Sequence, residues 1–256
     1  MKRRNFVKAA GALALCSSLK AHASITSASA GKKEIYEWRI YTLTGEAAAL
    51  DRFYEETLIP AYNRKKVKVA AFAPQKAGEK VMRYFLLIYP DIATYYDVKN
   101  EIWEDKTFRS KAQAFYDQTA PSPVYSNFET YLCEAFDKIP VHRTPDSNRT
   151  LLELRIYWSP NEEANQRKMN MFNNEEIDLF DKVGINSVCY GEILAGPRMP
   201  AITYLTWYKD EPTRNEAWKK FGSHPDWQRM SKKPEYAHTA TNNQSIFLLP
   251  LSFSQL

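Results

Sequence analysis

The segment Glu37-Trp38-Arg39-Ile40-Tyr41 alternates apolar and polar side chains at period two, which predicts a strand with two chemically different faces. Downstream, Leu50, Phe53, Tyr54, Thr57, Leu58 and Ala61 recur at three-and-four spacing, the stripe of a helix lying on a sheet. Val81 to Tyr89 and Ile202 to Tyr208 are aromatic and β-branched runs that predict strands, and Phe128 to Cys133 and Ser245 to Leu249 predict the last strand of each half. Ser159-Pro160-Asn161-Glu162 predicts a helix start with an N-cap serine, a proline in the first turn and a glutamate closing a capping box. Another helix is expected to open near Ser223-His224-Pro225-Asp226.

The pattern occurs twice. Glu37-Trp38-Arg39-Ile40-Tyr41 matches Glu153-Leu154-Arg155-Ile156-Tyr157 at an offset of 116, as Lys66 to Phe72 matches Lys182 to Val188. Phe85 to Asp91 faces Tyr204 to Asp210 at an offset of 119, so the second copy holds a small insertion. Units of strand, helix, strand, strand, helix, strand are therefore expected over 33–137 and 150–256, joined by a linker over 138–149 that contains Pro140 and Pro145. This is the ferredoxin-like order. Such a sheet carries helices on one face and must cover the other. The expected fold is α+β: two tandem ferredoxin-like units packed sheet to sheet as an intramolecular dimeric α+β barrel, helices outside.

Within that fold, Trp38 and Ile40, with Leu154 and Ile156, are expected to meet the helices. Glu37, Arg39, Tyr41, Glu153, Arg155 and Tyr157 are then expected on the face covered by the second sheet. A desolvated carboxylate and guanidinium seldom stabilise a core more than apolar packing does, so these groups either staple the sheets or recognise a ligand. In the second case Arg39 or Arg155 holds an anionic or carbonyl-bearing molecule by its planar fork, and Tyr41 or Tyr157 donates a hydrogen bond. A ligand cleft predicts a closed pocket of several hundred Å³ holding these groups.

At Glu37, Arg39 and Tyr41, and again at Glu153, Arg155 and Tyr157, the chain resembles the NIPSNAP family, whose units open on a Glu-x-Arg-x-Tyr strand. His224-Pro225-Asp226-Trp227 looks like that family's later His-Pro-x-Trp segment, whereas the first unit has Lys106-Thr107-Phe108 in the corresponding region. The resemblance implies the dimeric α+β barrel group, which includes small-molecule monooxygenases, haem-degrading enzymes, isomerases and plain binding modules. Shared fold does not choose among them. The two functions it leaves open are a cofactor-free or haem-linked oxygenase or isomerase, and a non-catalytic binding or interaction module whose Glu and Arg groups are structural. For an oxygenase or isomerase working between the sheets, a barrel interior filled by side chains would sink the idea.

Charge and composition narrow the rest. The 256 residues carry a net charge of +5, all of it accounted for by Lys2, Arg3, Arg4, Lys8 and Lys20. Residues 1–23 read as an export signal of twin-arginine type ending at Ala21-His22-Ala23, with 24–32 an unstructured lead. A periplasmic or secreted location is expected, with a lipoprotein anchor at Cys16 the weaker alternative. The remaining chain is neutral, which argues against nucleic acid, and has no further segment of transmembrane length. Homo-oligomerisation is open. Cys133 and Cys189 allow one bridge at most. His224 stands at a helix start, where an imaginable general base or haem ligand competes with a plain capping role; no zinc-type spacing accompanies it, and no metal site is expected. Trp103, Phe108, Trp207, Trp218 and Trp227 are candidates to line an apolar pocket, Trp218, Phe221 and Trp227 rather to pack a helix onto the sheet. Nothing resembles a nucleophile elbow or a phosphate loop, and a small molecule is the expected partner.

Overall fold

The structure, a computed structural model, describes residues 32–256; the signal segment, Cys16 and nearly all of the expected lead lie outside the described residues. Eight strands alternate with helices: β1 (Ile35–Leu43), β2 (Lys68–Pro74), β3 (Met82–Tyr89), β4 (Tyr125–Ala135), β5 (Leu151–Trp158), β6 (Asn186–Ala195), β7 (Ala201–Tyr208) and β8 (Asn242–Pro250). Helix α1 joins β1 to β2 and runs through Ala48–Phe53, a π turn at Tyr54–Leu58, and Ile59–Arg64. Between β3 and β4 come α2 (Ile92–Glu101) and α3 (Lys106–Thr119). The second half has α4 (Glu162–Met171, a π turn at Phe172–Glu176, then Ile177–Val183), α5 (Glu211–Ser223) and α6 (Pro225–Met230). Each expected second helix is thus a pair of helices. The start of α4 also differs: Asn161, not Ser159, caps it by accepting from Ala164 N at 2.8 Å. The Ser159 hydroxyl instead donates to the Thr239 carbonyl at 2.8 Å, so it fastens the strand end to the C-terminal segment.

The strands close into one barrel in the order β1-β3-β2-β8-β5-β7-β6-β4. Each half contributes four antiparallel strands in ferredoxin-like order, and two seams join the halves edge to edge. One pairs Phe72, Ala73 and Pro74 with Pro250, Leu249 and Leu248; the other pairs Leu132 to Ala135 with Ala195 to Gly191 across a bulge. At this second seam the backbones approach closely: a Cβ on Gly191 would stand 2.7 Å from Cys133 Cβ, so only glycine fits. Edge pairing removes every strand edge at the seams that would otherwise recruit another chain.

Alternation assigns the faces, and it does so opposite to the sequence expectation. Tyr36, Trp38 and Ile40 of β1 and Leu152, Leu154 and Ile156 of β5 meet Phe72, Leu86, Leu205 and Leu248 inside the barrel, which side chains fill. Glu37, Arg39, Tyr41, Glu153, Arg155 and Tyr157 point outward, beneath the helices, so the filled interior overturns the cleft expected between the sheets and any pocket at these groups lies on the helix side. In a closed barrel both strand faces are buried, and here the drier one is the shared interior. The helix layers form two separate apolar clusters, one around Phe53, Tyr54, Phe85 and Phe108, the other around Phe172, Phe180, Tyr204 and Phe221. Each such ring contributes on the order of 1.5–3 kcal/mol by burial. Cys133 and Cys189 are free thiols in the interior, and burial pushes both thiols up, away from the reactive thiolate. Among the described residues no helix is long and apolar enough to cross a membrane.

Candidate functional site

In the first half a cavity of about 560 Å³ opens between the sheet and helices α1 to α3. β1 supplies its floor, Glu37, Arg39 and Tyr41, and β4 adds Phe128 and Thr130, which stand opposite Tyr41 and Arg39 in the ladder. Asp91 caps α2 by accepting from Thr94 N at 2.8 Å, which places Tyr95 and Lys99, four residues apart, on the face that lines the cavity. Asp105 caps α3 in the same way through Phe108 N at 2.9 Å, aiming Phe108, Phe115 and Tyr116 inward. Phe115 stacks on Phe53 of α1 with ring centroids 4.2 Å apart, and Trp103 packs edge-on against Phe108 at the exposed rim.

The polar centre is one clamp. Arg39 donates through Nε and Nη2 to the two Glu37 oxygens at 2.8 and 3.1 Å, and Nη2 also reaches Tyr62 Oη at 3.2 Å. Tyr89, diagonal to Glu37 across the β1–β3 ladder, donates to Glu37 Oε2 at 2.6 Å. Neither Glu37 nor Tyr62 takes the remaining Arg39 nitrogen, Nη1, which is not buried away from the cavity, and the Tyr54 phenol stands beside the guanidinium. Burial alone would push the Glu37 carboxyl up, but Arg39, Tyr89 and Lys99 hold it below the usual carboxylate range. Arg39 keeps its charge in spite of burial, through Glu37. Tyr41 and Tyr54 share a hydrogen bond at 3.0 Å beside it, and burial pushes both phenols up, so they stay protonated.

The second half uses the same strand pattern, but Glu153, Arg155 and Tyr157 are tied into a side-chain network and do not line that cavity. Glu153 is fully buried and accepts from Arg155 at 2.8 Å, Arg214 at 2.7 and 2.9 Å, Trp218 at 3.2 Å and Ser245 at 2.6 Å. Arg155 Nη2 donates to Tyr157 Oη at 2.9 Å, and its guanidinium lies 4.3 Å over the Trp218 ring. Counted from the capping aspartates Asp91 and Asp210, Tyr95 and Arg214 are each four residues on, and Lys99 and Trp218 each eight. Arg214 and Trp218 therefore fill, in the second half, the space that Tyr95 and Lys99 leave open in the first. A second pair of exchanges acts from α4. Lys168 and Glu176, 3.4 Å apart and buried, sit relative to their π turn where the cavity-lining Leu50 and Leu58 sit relative to theirs.

Of the six strand residues singled out by the sequence, three line the cavity and three form a filled network. Lys99, Tyr62, Tyr95, Tyr116 and Thr130 escaped notice, although carrying the Asp91–Asp210 match a few residues further exposes the Lys99–Trp218 exchange. His224 caps α6, its Nδ1 accepting from Asp226 N at 3.1 Å, and it is not on the cavity wall. Trp103 and Phe108 line the cavity; Trp218, Phe221 and Trp227 pack with Phe180 on the second sheet, and Trp207 borders the barrel interior. Among the described residues no three His, Cys, Asp or Glu side chains cluster as a metal site.

The depressed carboxylates set an acid limit. Glu37, Glu153 and Glu34, the last held by His142 across the linker at 3.0 Å, all have folded-state values below their unfolded ones. Their stabilisation is present above the unfolded value of about 4.3 and is lost as pH falls through the depressed folded values. Glu176, pushed up by burial in spite of Lys168, has the opposite sign and loses stability as pH rises through its raised value. Asp91, Asp105, Glu175, Asp210, Glu216 and Asp226 are lowered as well and Glu192 is raised with Glu176, so the lowered carboxylates prevail and the thermal midpoint should fall steeply below about pH 4.3, and the Glu37→Gln protein should show a shallower fall in scans from pH 3 to 7. A flat profile would remove the three carboxylates from the stability account.

Residues 152–255 match the NIPSNAP family. The matched region is the filled half, whereas the cavity lies in the other. Solved structures share the whole fold at low identity: a proposed monooxygenase of Fusobacterium nucleatum (TM-score 0.54, 9% identity, covering 86% of this chain and 93% of that one), one of Lactobacillus acidophilus (0.55, 8%, 86% and 94%), and an anthrone oxidase-like protein (0.51, 8%, 87% and 93%). At these identities the likeness is one of fold alone. No curated protein matches the sequence.

Proposed function

This chain carries a NIPSNAP-family domain in its second half and folds as a closed α+β barrel, and from that premise we propose that its first half binds a small organic molecule in the cavity beneath α1 to α3. One observation carries the reading: Arg39 stands on the wall of a 560 Å³ cavity with its orientation fixed by Glu37 and with Nη1 uncommitted. Nη1 is not among the buried polar atoms left without a partner, so it meets the cavity rather than packed protein. The cavity is of the size that encloses a small ligand, and most of its wall is aromatic. Export by the N-terminal signal would place the site in the periplasm or outside the cell.

A second reading, turnover of the bound molecule without an imported cofactor, is favoured by the Tyr41–Tyr54 pair. A guanidinium beside a protonated phenol can stabilise a developing oxyanion and return a proton to it, as an oxygenase or isomerase requires. Haem-linked chemistry does not fit this wall. Among the described residues no His, Cys or Met lines it, the phenols of Tyr41 and Tyr62 are hydrogen-bonded to Tyr54 and Arg39, and burial keeps those of Tyr95 and Tyr116 protonated.

The binding reading predicts that protein purified from its own export host carries bound small-molecule mass in a native mass spectrum, or that members of a diverse compound set raise its thermal midpoint. Thr130→Trp, which puts an indole into the cavity from β4, should abolish both effects while the fold is retained. Clean apo-protein with no stabilising compound would overturn the reading.

A further inference from the structure

The charged side chains on the cavity wall are Glu37, Arg39 and Lys99. Glu37 and Arg39 neutralise one another through two hydrogen bonds. Lys99 is exposed at the mouth of the cavity, and among the described residues it makes no ion pair or hydrogen bond. Its charge nonetheless acts on Glu37, so it stands close to the clamp. The wall therefore carries one uncompensated positive charge. The phenols do not remove it, because burial pushes Tyr41, Tyr95 and Tyr116 up, the last to about 12. In the filled half the second cation, Arg214, is held by two hydrogen bonds to Glu153, which Arg155 also pairs, so the difference lies in its being engaged by protein rather than in the net charge. Beyond the clamp the wall is built of flat rings, with Trp103, Phe115, Tyr116 and Phe128 around the entrance and Phe108 deeper.

We propose that the ligand of this cavity is an aromatic organic monoanion, a carboxylate or a comparably acidic group on a ring system, with its charge between Arg39 Nη1 and Lys99 and its rings against the aromatic wall. The inference rests on the reading of the cavity as a binding site. Each part of the ligand answers one part of the wall. A carboxylate oxygen can accept from Nη1, the one Arg39 nitrogen that Glu37 and Tyr62 leave, one negative charge matches the cation at Lys99, and ring faces match a wall that offers edges and faces of other rings. A dianion would import a second charge into a space with no cation left to meet it.

The test compares 2-naphthoate, the neutral 2-naphthamide of nearly the same shape, and naphthalene-2,6-dicarboxylate by calorimetric titration of the full chain near pH 7.5. The expected result is 2-naphthoate binding on the order of tenfold or more tighter than either of the others. Lys99→Met, at an exposed position without a protein partner, should keep the fold, weaken 2-naphthoate several-fold and leave 2-naphthamide unchanged. Equal or tighter binding of the amide, or tightest binding of the dianion, overturns the monoanion and leaves the cavity reading standing. Failure of all three to bind, together with failure of every other small molecule to shift the thermal midpoint, overturns the cavity reading and this inference together. Binding that survives Thr130→Trp places the ligand elsewhere and also overturns it.

Discussion

Replacing Glu153 with leucine should lower the unfolding free energy by about 3–5 kcal/mol, the range seen when one member of a buried charge cluster is removed. Glu153 has no solvent contact and collects five donated hydrogen bonds from four side chains, so its loss strands Arg155, whose side chain keeps only 11% of its exposure, and deprives the Trp218 indole of one of its two acceptors. Arg214, whose side chain keeps 18% of its exposure, and the exposed Ser245 can turn toward water. A single domain of this size has only about 5–15 kcal/mol of stability to lose, so the variant should unfold at a visibly lower denaturant concentration with an unchanged slope. Glu153→Gln retains two acceptor lone pairs and should fall between the two. A loss below 1 kcal/mol for the leucine variant would mean that the network is dispensable packing rather than the centre of the second layer.

The buried Lys168–Glu176 pair should behave in the opposite way when both partners are replaced. Removing Glu176 alone leaves an ammonium between the rings of Tyr157 and Phe172, 5.3 and 4.8 Å away, and should cost about 3–5 kcal/mol. Replacing both with leucine copies what the first half already has at Leu50 and Leu58. The double variant should match or exceed the parent, by up to about 4 kcal/mol, because neither charge then has to be dehydrated. The pair is long at 3.4 Å, and burial outweighs Lys168 in setting the Glu176 carboxyl, so its Coulomb attraction does not offset its desolvation. Chemical denaturation of the four members of this cycle gives the coupling directly. A double variant less stable than either single one would show that the ion pair shapes the layer in a way that leucines cannot.

Much of the barrel is legible in the chain because its signals are local. The alternation of Glu37 to Tyr41 marks β1, and the stripe from Leu50 to Ala61 marks α1. The same alternation does not say which face is inner. Trp38 and Ile40 look like residues that belong under a helix, and in an open sheet they would be there. Once two sheets close edge to edge, the largest apolar residues have a still drier destination, and Glu37 and Arg39 are left for the helix side, where tyrosines and a cavity satisfy them. The difference between the halves is legible only in pairs of positions. Lys99 by itself is an ordinary helix-surface lysine. It becomes informative beside Trp218, its counterpart eight residues beyond a capping aspartate, because one opens a space that the other closes. Asn161 was hidden by Ser159, an equally good cap by composition whose hydroxyl is used elsewhere.

The two seams between β2 and β8 and between β4 and β6 have a genetic consequence. When a barrel of this kind is assembled from two identical chains, every substitution appears on both sides of the two-fold axis, so a residue that improves a binding wall is also imposed where it weakens packing. Placing both halves on one polypeptide removes that constraint. One inheritance can accumulate tryptophan, arginine and ion-pair replacements that solidify it, while the other drifts toward an open wall with a spare cation. The shared interior of Trp38, Ile40, Leu154 and Ile156 makes the bargain workable, since stability gained on one side of the barrel is available to a half that has given up part of its own core.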